Sequence, residues 1–324
     1  MTVLDLHSHV VPAGTPFAAR RRGGDSRWAR LEPGDQHGDV IVSGRLFRRV
    51  RRVAWDLGER REQLTAAGVS GQLLSAMPEL FALWAEASEA LDYARAFNDW
   101  LGAEVAEHAG YFSGLGLVPV QDPEVAAKVL SEVAALGLVG VEIPAGSLEH
   151  PRWTDFFAEA ERLRLLVFVH AVGGEDVRSF GDPGLANGVL FPNSIGRAVG
   201  GLIANGVLAR FPRLQLLVSH GGGSLLTMLP RMEHFRGRSE TARELLPESV
   251  SDYARRLWFD PLLFDPVLLQ ALAAVVGGDR VVMGTDYPFM DRSIAFLDQV
   301  PDSLAAAIRL DNGRRLLAAL RSSV

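Results

Sequence analysis

The chain has 324 residues, 48% hydrophobic and 22% charged, the balance of a globular protein long enough to bury a large core without covalent staples. It has no cysteine, which excludes disulfides, thiolate ligands, iron–sulfur clusters and cysteine nucleophiles, so any metal must be held by histidine and carboxylate. The net charge of −6 gives no reason to expect nucleic acid or an anionic membrane as a partner. No apolar stretch reaches the roughly 18 residues that span a bilayer, and the first ten residues lack a basic-then-apolar leader, so the cytoplasm is the default expectation.

Taken in order, short β-prone runs alternate with longer helical stretches. A first strand is expected over residues 3–6, running into His7-Ser8-His9. Residues 11–53 interrupt the rhythm with proline, glycine and many arginines, and read as an insertion covering the mouth of the fold. Helix 55–67 is followed by Gly68, then strand 72–75, helix 90–109, strand 112–118 and helix 123–136, which Gly137 stops. Strand 139–143, helix 153–163 and strand 166–169 follow, the last ending in His170. A second long loop, 173–194, is rich in glycine, aspartate and asparagine; loops of such length are usually functional. Helix 196–210 precedes strand 214–218, which leads into Ser219-His220-Gly221-Gly222-Gly223. Strands 257–259 and 281–283 complete the count, the last leading into Gly284-Thr285-Asp286. Eight such units predict an α/β fold, a (β/α)8 TIM barrel forming one domain over residues 1–324, with 11–53 as a lid within it.

In such a barrel the C-terminal ends of the strands converge on one mouth. His7 and His9, two apart on a strand, project to the same side, the spacing two imidazoles need to share one ion. His170, His220 and Asp286 also end strands. One strand-end histidine is commonly a satisfied core residue; four, with an aspartate, at one mouth point to a metal centre. His37, His108, His150 and His234 fall in loops or helices and read as surface residues. Imidazole and carboxylate suit Zn²⁺, with an open position for water, and the same donors accept Mn²⁺, Fe²⁺ or Co²⁺.

Together these motifs resemble the amidohydrolase superfamily, and within it the branch of non-oxidative decarboxylases typified by aminocarboxymuconate-semialdehyde decarboxylase. Phe47-Arg48, Trp55-Asp56, Gly114-Leu115-Gly116 with Pro119, and Phe211-Pro212 share the resemblance, which runs over most of the chain. It implies one divalent ion, Zn²⁺ before Mn²⁺, on His7, His9, His170 and Asp286. His220 would be the acid/base that handles the metal-bound water and the substrate, with Asp286 beside it in the catalytic set. Arg48 would bind a substrate carboxylate, Phe289 would sit at the pocket mouth, and Arg231 would reach the neighbouring subunit's site in a homodimer. The strand-four sequence Gly140-Val141-Glu142-Ile143-Pro144 lacks the lysine that bridges two metals elsewhere in the superfamily, so one ion is expected. The chain departs from the branch at Ala171-Val172-Gly173-Gly174, where Pro-Trp-Asp follows the histidine, and at Phe191-Pro192-Asn193, where a tryptophan would line the pocket.

The leading expectation is a metal-dependent non-oxidative decarboxylase of a small aromatic or muconate-semialdehyde-like acid. The same site could instead hydrolyse a lactone, amide or C–N bond, and a non-catalytic metal-binding role is a third reading. The basic run Arg45, Arg48, Arg49, Arg51 and Arg52 is more commonly a solvated face than a substrate site. Trp84, Asp291 and Glu142 are pocket candidates with equally good core or surface readings.

Overall fold

The structure, a computed structural model, describes residues 2–13, 26–148, 150–172, 177, 179–290 and 295–321. Seven parallel strands lie side by side: β1 (Val3–Val10), then, past three strands of a separate sheet, β5 (Val69–Ala76), β6 (Phe112–Gly116), β7 (Gly140–Pro144), β8 (Leu166–His170), β9 (Gln215–Val218) and β10 (Trp258–Phe259). The expected eighth strand forms isolated bridges rather than a ladder, Phe259 with Val281 and Ser8 with Tyr287. It still closes the ring: Val282 N–H donates to Phe259 O (2.8 Å) on one side, and Leu6 and His9 N–H donate to Met283 O (2.8 Å) and Tyr287 O (2.7 Å) on the other. The expected barrel is therefore borne out.

Two layers of core follow. Leu4, Leu6, Leu73, Leu115, Leu166, Phe168 and Leu217 cluster with Leu316 and Leu320 of the C-terminal helix Asn312–Arg321. A larger cluster joins the strands to the surrounding helices, among them Ala87–Glu107, Pro123–Ala135, Thr154–Leu163 and Pro266–Val276.

Both irregular regions carry more structure than their composition suggests. Within 11–53 the chain forms a separate antiparallel sheet, β2 (Arg30–Pro33), β3 (His37–Val42) and β4 (Arg45–Arg51). The expected loop 173–194 is helical in its second half, and the helix runs Pro183–Ala204 rather than starting at Gly196. Its start has the Asp-Pro signature also seen at Asp122-Pro123 and Asp265-Pro266: an aspartate accepts the first free N–H groups and proline fills the first helical position, where no N–H is needed. Gly173, Gly174 and Asp291 lie outside the described residues. Among the described residues no helix is long and apolar enough to cross a membrane.

Candidate metal centre and substrate cavity

β1 carries a one-residue irregularity between Asp5 and Ser8, so that His7 lies within it and His9 just beyond it, both fully buried. Their Nε2 atoms lie 3.2 Å apart, and Asp286 Oδ1 is 3.5 Å from the first and 3.1 Å from the second. His170, 3% exposed at the end of β8, packs edge-on to both rings, with centroids 4.9 and 4.6 Å away. One ligand atom each from His7, His9, His170 and Asp286 falls within 4.8 Å of all the others.

The outer contacts show which way the lone pairs face. His7 Nδ1 lies 2.6 Å from Asp260 Oδ2, and His9 Nδ1 lies 2.8 Å from Ala76 O. Neither oxygen can donate, so each Nδ1 carries the proton and both Nε2 lone pairs face inward. Asp286 Oδ1 and both nitrogens of His170 are buried with no hydrogen-bond partner among the described residues. Two lone pairs facing each other beside an unsatisfied carboxylate oxygen are unfavourable in a buried space unless a cation neutralises them. These residues therefore fit a divalent ion.

Ionisation agrees. Burial alone would raise Asp286, but His9, 3.1 Å away, and the other neighbouring histidines hold its carboxyl down to about 2. Burial and the facing imidazoles push His170 well below its ordinary value, and burial lowers His220. His7 goes the other way: burial pulls it down, but Asp260 and Asp286 together bring it above its ordinary value.

Asp260, not singled out from the sequence, is the hub of the site. Buried at the end of β10, it accepts from His7 and from the backbone N–H groups of His220 (2.9 Å), Gly221 (2.8 Å) and Leu262 (3.0 Å). Its signal was the one used elsewhere, an apolar strand ending in an acid: Trp258-Phe259-Asp260. Glu142 is neither at the pocket nor on the surface: fully buried behind the ligands, its Oε1 is 3.6 Å from His170 Nδ1 and 3.8 Å from His9 Nδ1. Burial pushes its carboxyl well above the usual range.

His220 and Asp286 both adopt left-handed backbone conformations, φ 52° and 54°. Such conformations cost on the order of 1–3 kcal/mol in non-glycine residues and cluster at functional sites. The glycines after His220 also have positive φ, and at Gly223 a Cβ would lie 2.1 Å from Pro192 O. That carbonyl accepts from Ser224 N–H (3.0 Å), docking the helix Pro183–Ala204 on the turn. Phe191, beside it, stacks on the His220 ring at 5.9 Å and 20°. His220 Nε2 is buried and has no partner among the described residues.

A cavity of about 1290 Å³ opens over this centre, lined by His170, His220 and Asp286 and by Arg48, Phe191 and Phe289. The Arg48 guanidinium sits 4.2 Å above the Phe289 ring, and Phe289 packs 5.3 Å from the His9 ring, so the two residues expected at the pocket come together there. Trp84 also lines the cavity. Arg231 is absent from the cavity walls: it is exposed on the helix Leu225–Arg238, stacked 5.3 Å over Phe235.

A family profile described as amidohydrolase matches residues 4–318. The chain is 32% identical over 299 residues to the 2-amino-3-carboxymuconate-6-semialdehyde decarboxylase of Dictyostelium discoideum, covering 88% of this chain and 81% of that protein. In fold it is similar to the IDCase of Metarhizium anisopliae, solved in apo form (TM-score 0.81, 20% identity, 98% of this chain and 97% of that one). It is likewise similar to a dihydroxybenzoic acid decarboxylase of a Polaromonas species, solved with bound manganese and 2-nitroresorcinol (TM-score 0.75, 19% identity, 99% and 98%).

Proposed function

Because the chain belongs to the amidohydrolase family, in its branch of amidohydrolase-related decarboxylases, we propose that it is a metal-dependent carboxy-lyase that removes CO2 without oxidation from a small aromatic or muconate-like acid. The observation that carries this reading is an arginine, Arg48, placed at the wall of the cavity that His170, His220 and Asp286 also line. A planar guanidinium suits a carboxylate; hydrolysis of a lactone or amide gives it no comparable task.

In this reading His7, His9, His170 and Asp286 hold one divalent ion, which supplies a Lewis acid that steadies negative charge developing on the substrate. Zn²⁺ is the ion assigned, three imidazoles and a carboxylate being donors it accepts. Manganese, present in the Polaromonas enzyme, is the alternative, and elemental analysis of purified protein decides. Asp286 acts as a permanent anion, since its carboxyl is held down to about 2.

His220 moves the proton. Burial keeps its imidazole neutral at rest, so His220 first takes a proton from water in the site on Nε2, which has no protein partner among the described residues, and as imidazolium gives that proton to the substrate. Delivered to the carbon bearing the carboxylate, it makes that carbon tetrahedral. The C–C bond then breaks, its electron pair returns to the unsaturated system, and CO2 leaves. Phe191 keeps the imidazole plane fixed. We assign residues 11–53 as a lid within a single domain, since Val42, Phe47 and Arg48 lie on the cavity wall. We assign Arg231 to the partner's site in a homodimer.

The test is CO2 release from aromatic ortho-hydroxy and ortho-amino carboxylates by protein loaded with Zn²⁺ or Mn²⁺. Release is expected to vanish in Asp286→Ala. His220→Asn is expected to bind metal normally and to lose about 10²–10⁴-fold in kcat, the usual span of general acid–base catalysis. Full turnover by that variant would overturn the assignment.

A further inference from the structure

Among the described residues, six that are not glycine have positive φ. Ser43 lies in the two-residue turn between β3 and β4, Ala82 closes the short helical turn Pro78–Phe81, and Arg164 closes the helix Thr154–Leu163. His220 and Asp286 belong to the metal site. That leaves Phe264, at φ 55°. For a bulky side chain this conformation is an outlier, and such outliers cluster where ligands are held. The segment that carries it is tied to the metal site. Asp260 accepts from Leu262 N–H (3.0 Å), and Leu263 packs so closely on Gly221, next to His220, that a Cβ there would lie 2.4 Å from Leu263 Cγ. Phe264 follows on the cavity wall and is 59% exposed. Leu268 (48% exposed), Leu83 (47%), Trp84 and Met290 line the same cavity with exposed apolar side chains. Single exposed hydrophobic residues are ordinary, but a group of them on one cavity marks a binding surface. The metal and proton chemistry uses none of them. The cavity, at about 1290 Å³, also exceeds the roughly 300–1,000 Å³ of pockets that hold drug-sized ligands, so a single-ring acid fills only part of it.

We propose that Phe264 and Leu268 form a subsite for an apolar arm of the substrate, so that the acid losing CO2 carries an alkyl or aryl substituent. The acid head reacts at the metal centre, and the arm lies along Phe264. Binding takes water off the arm and off these side chains together, and each methylene buried is worth about fourfold in affinity. A polar group in the same place would be stripped of water and find no hydrogen-bond partner on either side chain. Either head of the proposed function, aromatic or muconate-like, can bear the arm. That the head is a carboxylic acid rests on the decarboxylase reading.

The test is calorimetric binding of salicylate and its 4-, 5- and 6-pentyl derivatives to the metal-loaded wild type and to Phe264→Gly, with CO2 release followed in parallel. At least one pentyl isomer is expected to bind wild-type protein about tenfold or more tighter than salicylate, the gain of about two buried methylenes. Glycine takes positive φ freely, so Phe264→Gly is expected to fold with a Tm at or near that of wild type. In that variant the preferred isomer is expected to weaken by about threefold or more relative to salicylate, the worth of about one methylene's contact. A wild type for which no pentyl isomer outbinds salicylate would overturn the proposal. So would a Phe264→Gly protein that keeps the wild-type ratio, or one that loses salicylate and the pentyl acids in equal proportion, since the ring would then serve the fold and not the arm. If the glycine variant does not fold, Leu268→Ala, a change in the exposed first turns of the helix Pro266–Val276, reads the same ratio. Affinity is read without turnover, so a shifted ratio without CO2 release from any of the four acids sinks the reaction and not the subsite. CO2 release with an unshifted ratio does the reverse.

Discussion

A metal-binding imidazole works best when its second nitrogen is also held, because the outer bond fixes the tautomer and raises the basicity of the inner nitrogen. His7 has Asp260 for this and His9 has Ala76 O. His170 has only Glu142, 3.6 Å from its Nδ1, a carboxylate with both oxygens buried and unsatisfied among the described residues. Glu142→Gln, which keeps the shape and replaces the carboxyl with an amide, is therefore expected to weaken metal binding by roughly 10–100-fold, the usual effect of losing an outer partner. Chelator competition measures this directly, and an unchanged Kd would show that Glu142 is a passenger. The residues that bind in this picture were legible because each follows an apolar strand; those that orient them were not. Asp260 carried the strand-end signal but lay on a strand only two residues long. For Glu142 and Phe191 the decisive fact is which residue packs against them in the folded chain, and spacing along the chain does not encode it.

Strand β1 carries two of the ligands, and buried polar contacts fix its register. Asp5 accepts from Thr285 Oγ1 (2.7 Å), Gln72 Nε2 (2.6 Å) and His7 N–H (3.2 Å). Fully buried Arg60 donates to Gln72 (2.7 Å) and to His9 O (2.8 Å). The closing segment 281–286 lies against β1 with no room to spare: a Cβ on Gly284 would sit 2.7 Å from the His7 Cβ and 2.8 Å from the Asp260 Cβ. Gly284→Ala must push these two apart, so it is expected to cost about 1–3 kcal/mol by overpacking, seen as a lowered Tm, and to weaken metal binding with it. Wild-type values of both Tm and Kd would mean that His7 and Asp260 are not clamped as described. At this scale the sequence was legible wherever a period was present: the strands and most helices fall where alternation places them. It failed at residues 183–195, where glycine and asparagine hid a helix, although Asp182-Pro183 repeated the start signature of Asp122-Pro123. It also failed at 30–51, where arginine-rich strands of a small exposed sheet show no clean alternation.

The whole molecule draws the ligands of one ion from opposite ends of the chain. The ring of strands closes between β10, residues 281–287 and β1, which brings Asp286 to His7 and His9. That convergence follows from barrel closure, so eight βα units and four strand-end motifs were enough to foresee it. Quaternary structure is different, because nothing periodic marks a surface that meets another copy. Arg231, proposed to act in the partner's site, lies exposed beside Phe235, which is itself 56% exposed. In a two-fold dimer each site would then combine its own His220 with the partner's Arg231, and each contact would occur twice. Arg231→Ala and His220→Asn are each expected to be nearly inactive alone. Mixed in equal amounts and allowed to exchange subunits, half of the dimers become hybrids. In each hybrid the Arg231→Ala subunit keeps His220 and receives an intact arginine, while the other site lacks both groups. Activity should recover to about a quarter of wild type by that symmetry. No recovery, with subunit exchange confirmed by native mass spectrometry, would return Arg231 to the solvated surface of its own helix.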